Sequence, residues 1–456
     1  MTIKLPPRGQ RSGPIYQAIA DAIGREIEAG RLKPGGRLPT QRVLARQLGV
    51  TLTTITRAYA EAQRRGLLSG EVGRGTFVRP SAMDIEGPEQ GVLDLAVNAL
   101  MPLPYMEELA DRLAAAVPRS AGARIFGYQQ HAGARHNRAA GSAWIGWTGL
   151  DAPIDRIVVT GGGQHAILLS LMALAKPGDE ILVEEFTYPG ITDLAGHLHL
   201  RLRTVALDRQ GIVPASLDAA CRTGSPTALY CISSFQNPTA AFMSEERRRE
   251  IARIAIEHRL TVIEDDVFGF LAPDVKPLSS YLPEEQFFYI TSTAKSLAPG
   301  MRIGYLLAPA SAIERLSISV LRTIVNAAPA MAELATSLIT DGMAGRIAEW
   351  KRKEIAERQM IATRVLAGLN VQTHPQSPHM WVRLPEPWRT DAFVARARHR
   401  GILLNSAESF AVGHETGVQA VRITLGPPAT RSALEEGLSE IVKMLTRVPE
   451  AYELVV

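Results

Sequence analysis

The 456-residue chain is 46% hydrophobic and 21% charged with a net charge of +4, which excludes a disordered or fibrous protein and allows at least two domains. Its longest apolar run, Ala166 to Ala175, is too short to cross a bilayer and the first residues lack an apolar signal core, so a cytoplasmic protein with no membrane partner is expected. Cys221 and Cys231 have no metal-ligand spacing around them, which argues against a disulfide framework or a metal site.

Charge is uneven. The first 80 residues hold fourteen Lys and Arg against five Asp and Glu, and the remainder is slightly acidic. A basic head on an acidic body is the electrostatic footprint of a nucleic-acid-binding domain, although a solvated basic face reads the same way. Helical periodicity follows Pro14, with Ile15, Ile19, Ile23 and Ile27 at four-residue spacing and Gly30 as the stop. Leu32 to Pro39 is a turn-rich connector. An N-cap at Thr40 opens a second expected helix with Val43, Leu44 and Leu48 inward, which Gly49 breaks. Thr51 caps a third with Ile55, Tyr59 and Ala62 inward, and residues 66–69 and 73–78 read as two short strands around a glycine turn. That order is a winged helix-turn-helix, which sets the third helix in a DNA major groove.

Within this head, Pro34-Gly35, Arg37-Leu38-Pro39-Thr40-x-Arg42 and Gly73-x-Gly75-Thr76 resemble the GntR family of bacterial regulators along the whole segment. The resemblance implies a double-stranded DNA operator as partner, touched by Arg37, Thr40, Arg42, Thr53, Thr54, Arg57, Arg74, Gly75 and Thr76. Any one arginine reads equally well as an idle surface charge. Leu52 and Thr56 stand where some members carry arginines, so base preference does not transfer. Expected boundaries are 12–80 for the head, 81–92 for a linker and 93–450 for the body, with a large lobe over about 120–315 and a small lobe over about 316–450.

In the body, strand-like segments 156–160, 180–184, 227–232, 261–264 and 288–291 alternate with helical ones such as 164–175 and 245–258, an α/β pattern with a mostly parallel sheet. Ligands of such sheets bind beyond the carboxyl ends of the strands. Gly161-Gly162-Gly163-Gln164 there is a phosphate cradle or a tight turn. Tyr188 offers a ring to stack on a cofactor or to fill the core, and Asn237 is an amide in a proline turn. Asp265 and Asp266 are carboxylates or helix caps. Lys295, flanked by Ser292 and Thr293 and followed by Arg302, suits imine formation with an aldehyde and retention of a phosphate.

The order and spacing of these five motifs resemble the fold-type I aminotransferases, the aspartate aminotransferase superfamily, from about residue 93 to 445. That resemblance implies a seven-stranded-type sheet between helices, a smaller C-terminal α+β lobe and the cofactor pyridoxal 5'-phosphate. Lys295 then forms the internal aldimine, and Gly162, Gly163, Gln164, Ser292 and Arg302 bind the phosphate. Asn237 bonds the phenolic oxygen and Tyr188 stacks on the ring. Asp265 pairs with the pyridine nitrogen, preferred over Asp266 because an aromatic residue, Phe268, follows it by three. Arg422 holds an amino acid carboxylate, and Tyr128 reaches the phosphate of a dimer partner. Phe268 replaces a tyrosine, Ala240 a glycine and Phe186 a proline, which fits a relaxed catalytic demand.

A GntR head on such a body resembles the MocR regulators. This implies a homodimeric transcription factor that senses an amino acid or amine effector through the aldimine at Lys295. A working aminotransferase with a tethered DNA-binding head is the alternative. The effector and operator are not legible.

Overall fold

The computed structural model describes residues 14–28, 32, 38–64, 67–71, 75–78, 92–99, 101, 104, 106–115, 125–413 and 417–446. Arg37, Arg74 and the linker up to residue 91 lie outside these residues. The chain divides into two compact units, residues 1–89 and 90–456.

In the first unit, α1 (Ile15–Glu28), α2 (Gln41–Leu48) and α3 (Leu52–Arg64) precede an antiparallel hairpin of β1 (Leu68–Glu71) and β2 (Gly75–Val78). Ile19 and Ile23 of the four-residue stripe are fully buried with Leu44, Ile55 and Tyr59, whose hydroxyl donates to the Pro39 carbonyl at 2.7 Å. Thr51 caps α3 by accepting from the Thr54 amide at 3.3 Å. Gly49 ends α2 in the left-handed region at φ 64°, where glycine carries no steric penalty. Two expectations need correction. Val43 is 44% exposed, because Leu44 and Ala45 take the inward face of α2. Thr40 stands at the N-cap of α2 but makes no side-chain cap bond.

The second unit begins with β3 (Leu93–Asp94). Its large sheet takes β4 (Ile157–Thr160), β5 (Glu180–Glu184), β6 (Arg201–Val205), β9 (Ala228–Cys231), β10 (Thr261–Asp265), β11 (Phe287–Ser292) and β12 (Gly304–Leu307), while β7 (Leu207–Asp208) and β8 (Gly211–Ile212) form a separate hairpin. The order is β4-β12-β11-β10-β9-β5-β6, with β12 antiparallel to both neighbours and the rest parallel. Helices cover both faces, so central strands such as Phe287–Ser292 are buried at every residue. A four-stranded antiparallel sheet, β13 (Asn370–Gln372), β14 (His379–Arg383), β17 (Ala420–Thr424) and β16 (Asn405–Ser406), makes the smaller lobe, and β15 (Ile402–Leu403) pairs in parallel with β3.

The lobes do not exchange near residue 316. Leu316 and Val320 pack in the large-sheet core, and the 23-residue helix Met343–Val365 carries the chain across. Its Met343, Ala344, Ile347 and Ala348 belong to the large-lobe core and its Ala362 to the small-lobe core, which Leu95 also joins. Among the described residues no helix is long and apolar enough to cross a membrane.

Candidate functional site

Lys295 follows the last residues of β11 on a four-residue helix, Thr293–Ser296, capped when Ser292 Oγ accepts from the Ala294 amide at 3.2 Å. Its Nζ donates to the Asn98 carbonyl and lies 5.7 Å from the Phe268 ring centroid. Burial pushes its pKa down to about 8, helped by the positive charges of Arg422 and Arg302 and opposed by Asp265. Asp265 ends β10, the strand beside β11. Its Oδ2 accepts from the Tyr230 hydroxyl at 2.7 Å, and its buried Oδ1 has no partner. Burial raises this carboxyl to about 6. Asp266 instead accepts from the Tyr289 hydroxyl at 2.9 Å and presses on Gly269, where an added Cβ would meet Asp266 Oδ2 at 2.1 Å.

Arg422, on β17, is 4% exposed, and its Nη1 donates to Asn237 Oδ1 at 2.6 Å. Its Nη2 donates to the Ala96 carbonyl, its Nε has no partner, and its guanidinium lies 4.7 Å from the Phe410 ring centroid. Burial lowers its pKa to about 9. The segment after β3 thus lies over two cations, giving the Ala96 carbonyl to Arg422 and the Asn98 carbonyl to Lys295. Asp94 Oδ1 steadies it by accepting from the Ala96 and Val97 amides at 2.8 and 3.0 Å.

Beyond β4 lies a glycine-rich helix start. The helix Gly163–Leu174 makes its first turn bond from the Ala166 amide to the Gly162 carbonyl, so the amides of Gly163, Gln164 and His165 have no acceptor within the helix. Gly162 is left-handed at φ 99°, and an added Cβ there would meet Arg302 Nη2 at 3.1 Å. Ser292 stands beside Gly163, but its hydroxyl donates to the Ile303 carbonyl at 3.1 Å. The Gln164 side chain turns away to the Gly190 carbonyl at 3.1 Å, leaving its backbone amide at the cradle. Tyr188, half-buried at the start of helix Pro189–His197, feels the charges of both Asp265 and Arg302, and burial first of all raises its pKa. Among the described residues no cluster of three or more His, Cys, Asp or Glu could hold a metal.

In the head, Thr40, Arg42, Thr53 and Arg57 are exposed near the starts of α2 and α3, while Thr54 is half-buried against Thr51. Gly75 and Thr76 lie in β2.

Residues 15–78 match the model of the bacterial regulatory proteins of the gntR family, and residues 90–441 that of aminotransferase class I and II. The HTH-type transcriptional regulator YdeF of Bacillus subtilis is 32% identical over 95% of this chain and 94% of its own. The probable rhizopine catabolism regulatory protein MocR of Rhizobium meliloti is 25% identical over 65% of this chain and 66% of its own. The chain belongs to the MocR type. The body's fold is also that of solved aminotransferases: the α-aminoadipate aminotransferase LysN from Thermus thermophilus superposes with TM-score 0.73 at 21% identity, covering 85% of this MocR-type chain and 98% of its own.

Several residues of the MocR-type site carry no local signal in sequence. His379 on β14 is fully buried, with Nε2 donating to the Gln236 carbonyl at 2.9 Å and Nδ1 facing Asn98 Nδ2 at 3.4 Å; burial holds it neutral, with a pKa of about 3. Asn405 pairs with Arg422 across β16 and β17 and donates to the same Ala96 carbonyl at 2.9 Å. Phe186 packs 5.6 Å from Trp381 between the lobes, a packing role that its proline-like place in the motif does not suggest.

Proposed function

We propose that this protein is a DNA-binding transcriptional regulator that holds pyridoxal 5'-phosphate at Lys295 and responds to an amino acid. The observation that carries the reading is the convergence of Lys295, an Asp265 oxygen without a partner and a buried Arg422 in a chain that begins with a winged helix. The residues present fit the cofactor. Bare amides of Gly163 and Gln164 beside the Arg302 guanidinium suit a phosphate dianion, with Ser292 able to join by turning its hydroxyl from Ile303. Asp265 Oδ1 suits a protonated pyridine nitrogen, Tyr188 supplies a ring face, and Asn237 keeps an amide donor for the phenolic oxygen after accepting from Arg422.

When bound, the cofactor supplies an electrophilic carbon conjugated to an electron-withdrawing ring. The chain's residues prepare for it. Lys295, with its pKa pushed down to about 8, presents more neutral amine at physiological pH than an ordinary lysine. Asp265 holds a proton at the ring nitrogen. Phe268 contributes only an apolar face where a hydroxyl would otherwise tune the phenolic oxygen. Arg422 offers Nε and Nη2 to a carboxylate in a bidentate pair, with the Ala96 carbonyl as the acceptor to be displaced. Differential binding of this kind shifts a two-state equilibrium, here between arrangements with different DNA affinity.

Homodimerisation belongs to the same reading. Phe126 and Tyr128 are 81% and 92% exposed, and the His131 ring donates to the Val325 carbonyl at 2.8 Å, tying their segment to the exposed Ile318, Leu321, Ile324 and Val325. An apolar face of this kind marks an interaction surface. Ile324 Cδ1 would stand 3.2 Å from a Cβ on Gly161, so the face adjoins the glycine cradle and supports contact of Tyr128 with a partner's phosphate site. The complete set of Lys295, Asp265, Asn237 and Arg422 also favours residual transamination as a second reading.

The test is to titrate the full-length protein with pyridoxal 5'-phosphate and then an amino acid panel. Visible absorbance and affinity for DNA upstream of its own gene are followed together. A ligand that moves both is expected; DNA affinity unchanged by every ligand that alters the spectrum refutes the reading.

A further inference from the structure

Lys351 is a buried cation that the site as described leaves unused. It is 1% exposed, and its Nζ donates to the carbonyls of Lys295 at 2.9 Å and Leu297 at 2.7 Å. Those carbonyls lie at the C-terminal end of the helix Thr293–Ser296, where the last turn lacks amide partners of its own. Burial first of all, with the charge of Lys295 adding to it, pushes the Lys351 ammonium down to about 7. An apolar side chain of similar length fills the same space without that desolvation. What Lys351 adds is its donors, aimed at the backbone that carries Lys295.

Its helix, Met343–Val365, uses a second cation in the same way. Arg358 lies seven residues further on, about two turns and so on the same face. Its Nη1 donates to the carbonyls of Leu425 at 2.8 Å, Gly426 at 3.2 Å and Pro428 at 2.8 Å, immediately after the strand that bears Arg422. One continuous helix therefore grips the main chain behind Lys295 with one cation and the main chain behind Arg422 with the other.

We propose that Lys351 is a positioning residue: by holding the Lys295 and Leu297 carbonyls it fixes the point from which the Lys295 amine reaches an aldehyde. This rests on the reading of Lys295 as the residue that meets pyridoxal 5'-phosphate. Lys351 takes no part in the chemistry. The neutral Lys295 amine forms a C=N bond to the aldehyde carbon, and the aldehyde oxygen leaves as water with both amine protons.

The experiment compares full-length wild type with Lys351→Met for two probes, pyridoxal 5'-phosphate and pyridoxamine 5'-phosphate, by equilibrium dialysis. The second has no aldehyde and so ignores where Lys295 points. Lys351→Met is expected to weaken pyridoxal phosphate about tenfold or more while pyridoxamine phosphate stays within about twofold. Equal losses for the two probes, or no loss for either, overturn the proposal, since a purely structural lysine does not distinguish them. Should Lys351→Met fail to fold, Lys351→Arg, which keeps donors at an altered reach, is read the same way. If wild type binds neither probe, the cofactor reading fails first. Lys351 is then judged by trace reductive methylation of Lys295 with formaldehyde, mapped by mass spectrometry: a change of about threefold or more in Lys351→Met supports positioning, and an unchanged rate refutes it.

Discussion

Arg422 of the small lobe donates a 2.6 Å hydrogen bond to Asn237 of the large lobe, and both side chains are buried. Arg422 is therefore held across the lobes before any ligand arrives, with the Ala96 carbonyl as its second acceptor. A carboxylate that takes the guanidinium displaces that carbonyl and loosens the segment that follows β3. Arg422→Gln is expected to weaken amino acid binding to the cofactor-loaded protein about a hundredfold, roughly 3 kcal/mol, with a smaller loss for pyridoxal phosphate, since Arg422 also bonds Asn237 and helps lower the Lys295 pKa. Isothermal titration of each ligand separates the two effects.

Lys295 sets a pH dependence. Its amine is pulled down to about 8 chiefly by burial, and only the neutral form attacks an aldehyde. The rate of cofactor capture should rise about tenfold per unit as pH increases toward 8 and level off above it, because one proton is lost per amine. Stopped-flow absorbance measures this. A rate still climbing beyond pH 9.5 contradicts the lowered value.

Tyr230 supports Asp265 from beneath. Its hydroxyl donates to Asp265 Oδ2, and that bond favours the charged carboxylate against the burial that raises it to about 6. Tyr230→Phe should push the Asp265 pKa up further and weaken cofactor binding by about 1–2 kcal/mol, or five- to thirtyfold. Asp265→Ala should lose more, since no acceptor remains for the ring nitrogen. Spectrophotometric titration of the two variants ranks them.

The DNA contacts divide by chemistry. Arg42 and Arg57 are exposed and present charge, while Thr53 is an exposed hydroxyl on the first turn of α3. Arg57→Ala is expected to lower affinity alike for specific and unrelated DNA and to reduce the salt slope by about one. Thr53→Ala should instead lower the preference for specific DNA at unchanged slope. Fluorescence anisotropy across a salt series distinguishes them.

The parts of this molecule that were legible in sequence are those that depend on near neighbours. Gly162-Gly163, Asp265 and Lys295 each end or follow an apolar strand, and a short motif reports that environment. The lid over the site has no such pattern. Asn98 meets Lys295 across 197 residues and His379 across 281, so only the folded chain brings them together. Strand β6 has no clean apolar pattern, because arginines interrupt its apolar residues at the sheet edge, where half-exposure tolerates them. In α2, Val43 and Leu44 are equally apolar, and only the packing against α1 and α3 selects Leu44 for the core. The passage between the lobes leaves no local mark, because Met343–Val365 is one unbroken helix with no turn residue at the crossing.

Lys295 as the residue that meets the cofactor is tested by the visible absorbance of the full-length protein mixed with pyridoxal 5'-phosphate, wild type against Lys295→Ala. Wild type is expected to show a saturable band, fixed by borohydride to the peptide containing Lys295 and absent from the variant. A band of equal strength in Lys295→Ala, or none in wild type at saturating cofactor, would contradict it.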